Sequence, residues 1–148
     1  MPTYKGKFTP DNPNKYMGDV DNIIYRSGWE RRAMKYFDNT PKVVKWASEE
    51  VVIQYYDSVS KKVRRYFPDF LIKVQTNEGN TQTHLIEVKP SKDLRPPTGG
   101  KGKKKSTLLY EMKTYRMNRD KFAAAQKWCD DRNIIWDVWT EKHLKQKG

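Results

Sequence analysis

The sequence has little of several residue types, and each shortage excludes a class of protein. A single cysteine, Cys129, excludes an internal disulfide framework and a cysteine-rich zinc site. No apolar run approaches the roughly 18 residues that a membrane span needs, so no membrane partner is expected. Residues Met1 to Pro10 lack the apolar stretch of a signal peptide, and none is expected there. Hydrophobic residues make up only 36% of the chain, enough for one small core.

Positive charge is what the chain has in excess. Lys and Arg total 30 against 18 Asp and Glu, which gives a formal net charge of +12 at pH 7. The acidic content is ordinary for a soluble protein, so the excess comes from added base. Such a surface favours a polyanionic partner, and nucleic acid is the leading candidate.

The order of segments predicts an α/β sandwich around a central mixed β-sheet. Residues 1–22 are polar and turn-rich, and we interpret them as an N-terminal arm that lies on the body or becomes ordered on a partner. Residues 23–148 are interpreted as a single domain, with a flexible basic loop at 91–105. Periodicity and turn signals predict helices at 28–39, 107–131 and 141–146, and strands at 43–46, 51–56, 63–74, 81–89 and 134–139.

Two acids and a lysine stand out because they lie in apolar, strand-like segments. The triplet Asn77-Glu78-Gly79 is typical of a three-residue hairpin loop, so paired positions across the hairpin sum to 156. Asp69 then lies opposite Glu87, and directly opposed Cβ atoms are roughly 4.5–5.5 Å apart. Strand alternation puts Lys89 on the same face as Glu87.

Two carboxylates this close repel each other unless a cation lies between them. Mg²⁺ commonly takes one or two carboxylates plus water and phosphate, which makes it the expected cofactor, with Mn²⁺ as a substitute. Lys89 could then hold or deprotonate the attacking water, or neutralise charge at a scissile phosphate. The plainer alternative is that Asp69 serves turn chemistry after Pro68, and that Glu87 and Lys89 belong to a solvated face.

The segments Pro68-Asp69 and Glu87-Val88-Lys89, within an order of helix, strand meander, helix and strand, resemble the PD-(D/E)XK nuclease superfamily. The stretch Tyr25 to Glu30 looks like the opening of TnsA-type transposon endonucleases. The same stretch more closely resembles the corresponding segment of the head-completion nucleases of T4-type tailed phages. The likeness spans most of the chain and implies a restriction-endonuclease-like fold. It also implies a metal-dependent DNA endonuclease with Asp69, Glu87 and Lys89 as catalytic residues, the two acids being metal ligands.

Glu30 is a third acid that the resemblance singles out. The first helix of that superfamily often contributes an acid, and Glu30 occupies the matching place. The resemblance therefore implies that Glu30 is catalytic and a metal ligand, directly or through water. The alternative is purely structural, because Glu30 is also the N3 residue of a capping box that begins at Ser27.

Two basic runs lie close in sequence to the acidic residues, and we expect them to hold the phosphates of double-stranded DNA. The alternative for each run is a solvated surface that keeps the protein soluble. The residues concerned are Lys61, Lys62, Arg64, Arg65, Lys101, Lys103, Lys104 and Lys105.

The resemblance further implies a role in phage head completion, in which packaged DNA ends are trimmed or protected before tail joining. Phage head and portal proteins are then the implied partners, and the host cytoplasm during assembly, or the virion, is the implied location. Two alternatives stay open at this stage. One is a structural head-completion or DNA-end-binding protein with little nuclease activity, and the other is a recombination or junction-cleaving nuclease of the same fold. The DNA preference and the oligomeric state are also open.

Overall fold

A computed structural model describes residues 5–147 of the chain. The strands are β1 Gly6–Lys7, β2 Ile24–Tyr25, β3 Val43–Ser48, β4 Ile53–Asp57, β5 Lys62–Tyr66, β6 Phe70–Gln75, β7 Thr81–Val88 and β8 Ile135–Trp139. The helices are α1 Gly28–Asn39, α2 Lys105–Asp131 and α3 Glu141–Lys147, and short 3-10 turns lie at Pro13–Lys15, Val20–Asn22 and Ser91–Leu94.

The centre of the fold is a four-stranded mixed sheet in the order β3-β6-β7-β8. β3 pairs with β6 and β6 with β7 in antiparallel fashion, whereas β7 and β8 are parallel. The parallel pair requires a crossover, which α2 provides between the two strands. The predicted α/β sandwich with a central mixed sheet flanked by helices is therefore confirmed.

The sheet separates two hydrophobic clusters. On one face, α1 and α3 pack through Phe37 and Leu144 against Trp46 of β3 and Phe70 of β6. On the other face, Ala125 and Cys129 of α2 pack with Leu85 of β7 and with the β4–β5 ribbon. Because side chains alternate along β7, Ile86 and Val88 join the first cluster, and Glu87 faces the second.

The single strand predicted over 63–74 is wrong. The segment forms two strands that belong to different sheets, since β5 pairs with β4 and β6 pairs with β3 and β7. The break lies at Phe67-Pro68-Asp69, where Pro68 has no N–H to donate to a strand ladder. The first basic run therefore lies on a separate two-stranded ribbon and does not lead straight into the strand after Asp69.

The predicted hairpin register is confirmed. Phe70 pairs with Ile86 and Gln75 with Thr81, and both pairs sum to 156. The loop closes through the Thr76 N–H, which donates to the Asn80 carbonyl at 2.7 Å. Gly79 has a φ of +85°, the left-handed conformation that glycine adopts without a steric penalty.

The segment before α1 packs on the body within its described residues; residues 1–4 of the predicted arm lie outside them. Phe8 and Tyr16 are buried against Trp46, with ring centroids 5.8 and 4.7 Å away. The Lys15 ammonium donates to three carbonyls at the C-terminal end of α1, those of Phe37, Asp38 and Thr40. A cation at a helix C-terminus complements its free carbonyls and its dipole.

The segment from 91 to 105 begins with a 3-10 turn and is tied to α3, because the Ser91 N–H and hydroxyl donate to Glu141 at 2.9 and 2.6 Å. α2 begins at Lys105, two residues before the predicted start at Thr107. Its N-cap is Lys104, which has no side-chain acceptor, so the sequence carries no start signal there. No helix within residues 5–147 combines the length and apolar character needed to cross a membrane.

Candidate active site

Asp69 is fixed at the point where β6 begins, by bonds to the strands on both sides. Its carbonyl accepts a hydrogen bond from the Glu49 N–H at 3.0 Å, just after β3. Its carboxylate accepts one from the Val88 N–H at 2.8 Å, at the end of β7. The side chain is therefore held against the segment that contains Glu87 and Lys89, as the predicted register requires.

Glu87 is only 6% exposed, an unusual position for a carboxylate. Its Oε1 accepts a hydrogen bond from the Tyr66 hydroxyl at 2.6 Å, and its Oε2 lies 3.7 Å from the Lys89 ammonium. The backbone N–H of Lys89 donates to the carbonyl of Trp139 at 2.9 Å, which extends the parallel pairing of β7 and β8. The Lys89 side chain is 27% exposed, so its ammonium remains accessible from solvent.

Burial and mutual repulsion shape the electrostatics of the two acids. Burial, followed by the charge of Glu87, holds the pKa of Asp69 well above its ordinary value of 3.8. Burial also raises the pKa of Glu87, while Lys89 and the Tyr66 hydroxyl oppose that shift. The pKa of Tyr66 is raised far above its ordinary range by burial and by Glu87, so this hydroxyl stays protonated and donates a hydrogen bond. Lys89 and the Tyr66 hydroxyl compensate this acid pair only in part, so the pair favours a bound cation.

The donor chemistry of this pair fits a hard divalent cation. Two carboxylates from neighbouring strands are the share of ligands that Mg²⁺ commonly takes from a protein, with water and phosphate completing the coordination. Within residues 5–147, no group of three or more His, Cys, Asp or Glu side chains is arranged to hold a metal. The structure brings Asp69 and Glu87 close enough to interact electrostatically, and Glu30 also acts on Asp69.

Glu30 lies in the first turn of α1 and is held by a reciprocal pair of bonds. Its N–H donates to the Ser27 hydroxyl at 3.1 Å, and its carboxylate accepts from the Arg26 N–H at 2.8 Å. Burial raises the pKa of Glu30, the Arg26 N–H opposes the shift, and the charge of Glu49 adds to it. The carboxylate also interacts electrostatically with Lys89 and Asp69. Glu30 therefore caps the helix and faces the acidic site at the same time.

Two further residues lie at the site and were not predicted from the sequence, Tyr66 and Lys121. The Lys121 ammonium lies 5.6 Å from the centre of the Tyr66 ring and 6.0 Å from that of Tyr55. Burial lowers its pKa, the nearby charge of Lys89 lowers it further, and Glu87 opposes the shift. Helical spacing could have indicated Lys121, because this residue lies four residues before the buried Ala125 and therefore on the same face of α2.

The basic residues that the sequence predicts for DNA binding lie in two separate places. The first four are exposed at and beside β5, and Arg64 is anchored there by Asp57, 3.1 Å from its Nε. The other four precede or begin α2. Lys103 differs from its neighbours, because its ammonium bonds the Thr98 carbonyl at 2.9 Å and lies 2.8 Å from Glu111.

A mixed sheet between helices, with an acid at the start of one strand and Glu-x-Lys at the end of its neighbour, defines the class of protein. It is an α/β protein with the restriction-endonuclease-like fold, as the resemblance implied. Comparison with known proteins adds the family: the model of the TnsA-like endonuclease N-terminal family matches residues 40–141, and the chain belongs to this family. The chain is also 36% identical over 148 residues to the head completion nuclease of Enterobacteria phage T4, covering 98% of this chain and 96% of that protein.

The family match includes three of the four residues that the sequence predicts to be catalytic. Asp69, Glu87 and Lys89 lie within the matched residues 40–141. Glu30 lies ahead of them, within the part of the chain that the likeness to the phage T4 protein also covers.

Proposed function

We propose that this chain is a divalent-metal-dependent DNA endonuclease that acts in phage head completion. The observation that carries the proposal is the carboxylate pair of the partly buried Asp69 and the buried Glu87, with Lys89 beside it. Acids whose pKa is raised by burial and by a neighbouring carboxylate are rare in a purely structural role, because Lys89 and the Tyr66 hydroxyl offset the cost only in part. Membership of an endonuclease family and the likeness to the phage head completion nuclease support the same function.

Asp69 and Glu87 are the proposed ligands of the metal, and Mg²⁺ is the ion that their oxygen chemistry fits best, with Mn²⁺ as a substitute. When bound, such an ion stabilises the charge that develops on a phosphate and lowers the pKa of a water molecule. The two carboxylates hold their positions without it, through the Val88 N–H and the Tyr66 hydroxyl. The site is therefore preorganised by the fold.

Lys89 is the proposed residue that acts on the water and the phosphate. Its ammonium is tethered at 3.7 Å from Glu87 and is partly exposed, so it can donate to a phosphate oxygen or orient a water molecule. Glu30 is the proposed third acid, and its electrostatic contact with Lys89 and Asp69 supports a role through water. The same carboxylate caps α1, so the two roles that its sequence position allows are compatible.

Double-stranded DNA is the proposed substrate, held by phosphate contacts from the two basic runs. The net charge of +12 supports a sequence-independent component of binding. Phage head and portal proteins are the proposed partners, and the host cytoplasm during assembly, or the virion, is the proposed location. The trimming or protection of packaged DNA ends is the corresponding biological task.

The test is incubation of the purified protein with linear, circular and branched DNA in Mg²⁺, Mn²⁺ or EDTA. We expect breaks in circular DNA with Mg²⁺ or Mn²⁺ and none in EDTA, because an endonuclease needs no free end. Tight binding to linear ends without cleavage in either metal would instead identify a structural, end-binding protein. Cleavage confined to branched DNA would identify a junction nuclease of the same fold.

A further inference from the structure

A groove lies between the β4–β5 ribbon and α2, and none of its lining residues is a proposed metal ligand. It is open to solvent, has a volume of about 550 Å³, and is lined by Tyr55, Arg64, Arg65, Phe67, Met117 and Lys121. We propose that this groove binds an unpaired DNA strand next to the cleavage site, with a base stacked on Phe67. The inference rests on the proposed nuclease function and adds a preference for DNA that has single-stranded flanks.

The groove is rigid because the tip of the ribbon is hydrogen-bonded to α2. The Ser58 N–H and hydroxyl both donate to Asp120, at 2.8 and 2.7 Å, and the Arg116 Nε donates to the Ser58 hydroxyl at 3.0 Å. Behind the tip, the buried carboxylate of Asp57 accepts from Ser60 and Arg64. A ribbon fixed in this way keeps the backbone ordering penalty at binding small.

The groove is linked to the active site through Lys121, which lines the groove and whose charge acts on Glu87. Tyr66, the last residue of β5, donates its hydroxyl to Glu87, and the Lys121 ammonium lies 5.6 Å from its ring. Phe67 follows Tyr66 directly and precedes Asp69 by two residues. A strand that lies along the groove would therefore approach the carboxylate pair.

Phe67 is the feature that favours an unpaired base. Its side chain is 42% exposed although it is large and apolar, and the Arg65 guanidinium lies 5.8 Å from its ring centre. An aromatic face beside cationic side chains in a groove is the usual platform for single-stranded nucleic acid, because bases stack on the ring while arginines meet phosphates. The bases of an intact duplex are stacked on each other and do not present their faces.

Binding in EDTA tests the inference without relying on catalysis. Two DNAs with the same duplex, one blunt and one with a short single-stranded tail, are titrated with the wild-type chain and with Phe67→Ala, Phe67→Tyr and Tyr56→Ala. Tyr56 is the matched control, since it is an exposed aromatic residue of the ribbon that does not line the groove. Thermal unfolding of each variant identifies any that fail to fold.

We expect the wild-type chain to bind the tailed DNA more tightly than the blunt DNA. Phe67→Ala should weaken the affinity for tailed DNA about tenfold, because one base can no longer stack on the ring. The affinity for blunt DNA should stay unchanged. Phe67→Tyr, which keeps the ring face, and Tyr56→Ala should both behave as wild type. Arg65→Gln should lower the salt dependence of tailed binding by about 0.7 in log–log slope.

Equal affinity of the wild-type chain for the two DNAs would overturn the inference. So would a loss of affinity in Phe67→Ala that is the same for both DNAs, or a loss of affinity for tailed DNA in Tyr56→Ala of the same size as in Phe67→Ala. The nuclease function is tested separately, by cleavage of the same DNAs in Mg²⁺ and Mn²⁺. Cleavage without a tail preference in binding contradicts the groove alone. Absence of cleavage in both metals contradicts the nuclease function, while the EDTA titration still decides the groove.

Discussion

Asp69 and Val88 are joined by a hydrogen bond of 2.8 Å, from the backbone N–H of Val88 to the carboxylate of Asp69. Val88 lies between Glu87 and Lys89, so this one bond fixes the start of β6 against the end of β7 and brings an acid, a second acid and a lysine together. The bond uses a main-chain donor, which only a proline at position 88 would remove. Hydrogen bonds to the sheet thus hold Asp69 and Lys89 in place, although both residues lie just outside the strands.

Tyr66→Phe should destabilise the protein in EDTA and reduce cleavage. The variant keeps the ring in its core position but leaves a buried carboxylate without its 2.6 Å donor. Loss of a hydrogen bond to a charged group costs about 1.5–3 kcal/mol, measured as the free energy of unfolding in urea. Mg²⁺ should recover part of this loss, because the ion also satisfies Glu87. An unchanged free energy of unfolding would show that Glu87 does not depend on Tyr66.

Glu30→Gln should separate the two roles of Glu30. The amide oxygen can still accept from the Arg26 N–H, so we expect the free energy of unfolding in EDTA to stay within about 0.5 kcal/mol of wild type. The affinity for Mg²⁺, measured by the activity against metal concentration, should fall by about tenfold or more. If stability drops and the metal response does not, Glu30 is a structural capping residue only.

The pH dependence of stability should carry the signature of Asp69. Its raised pKa means that the folded state keeps this proton to a higher pH than the unfolded chain does. At a pH below the ordinary pKa of Asp69, the protonated acid contributes its full share to the stability of the folded state. This contribution to stability is lost as the pH rises through the folded-state pKa.

The measurement is urea unfolding in EDTA of wild type and Asp69→Asn from about pH 4 to about pH 7. The stability of wild type relative to Asp69→Asn should decrease with rising pH, because only wild type acquires the charge next to Glu87. Saturating Mg²⁺ should remove the trend. A relative stability that is constant or increases with pH would mean that the pKa of Asp69 is not raised.

Neutralising Lys101, Lys103, Lys104 and Lys105 together should weaken DNA binding without unfolding the protein. Each phosphate that the variant no longer neutralises lowers the slope of log K against log salt by about 0.9 for duplex DNA. We expect the variant to lose contacts with about two to four phosphates. The effect should be similar for unrelated sequences, because phosphates carry no base identity. Binding is measured in Ca²⁺, which limits cleavage.

The single variants of this run should not be equivalent. Lys103→Gln should change the slope less than Lys101→Gln, because the Lys103 ammonium already contacts Glu111 and the Thr98 carbonyl, whereas the Lys101 side chain is exposed and has no such contact within residues 5–147. A slope unchanged in the quadruple variant would mean that the run faces a protein partner in the phage head.

Local sequence signals predicted the parts of the fold that are built from neighbouring residues. The loop at Asn77-Glu78-Gly79 determined the register of β6 and β7, and that register alone placed Asp69 opposite Glu87. The capping pair of Ser27 and Glu30 likewise marked the start of α1. Where a turn or a cap sets the geometry, a few residues carry the information.

Tertiary pairing decided what the sequence left ambiguous. The run 63–74 is uniformly strand-like, and only its partners, β4 for the first half and β3 and β7 for the second, reveal two strands. Tyr66 and Lys121 are brought to Glu87 by the packing of the ribbon and α2 on one face of the sheet. Such contacts between distant segments depend on the whole fold, so the spacing of residues could not reveal them.

Cleavage of circular DNA in Mg²⁺ by the wild-type chain, Asp69→Ala and Lys89→Ala is the most direct test of the central claim. DNA affinity in EDTA and thermal unfolding are measured on the same samples. We predict that either substitution abolishes cleavage, while the variants stay folded and keep most of their DNA affinity, because the basic residues rather than the site hold the phosphates. Undiminished cleavage by either purified variant would contradict the assignment of Asp69, Glu87 and Lys89 as the nuclease site.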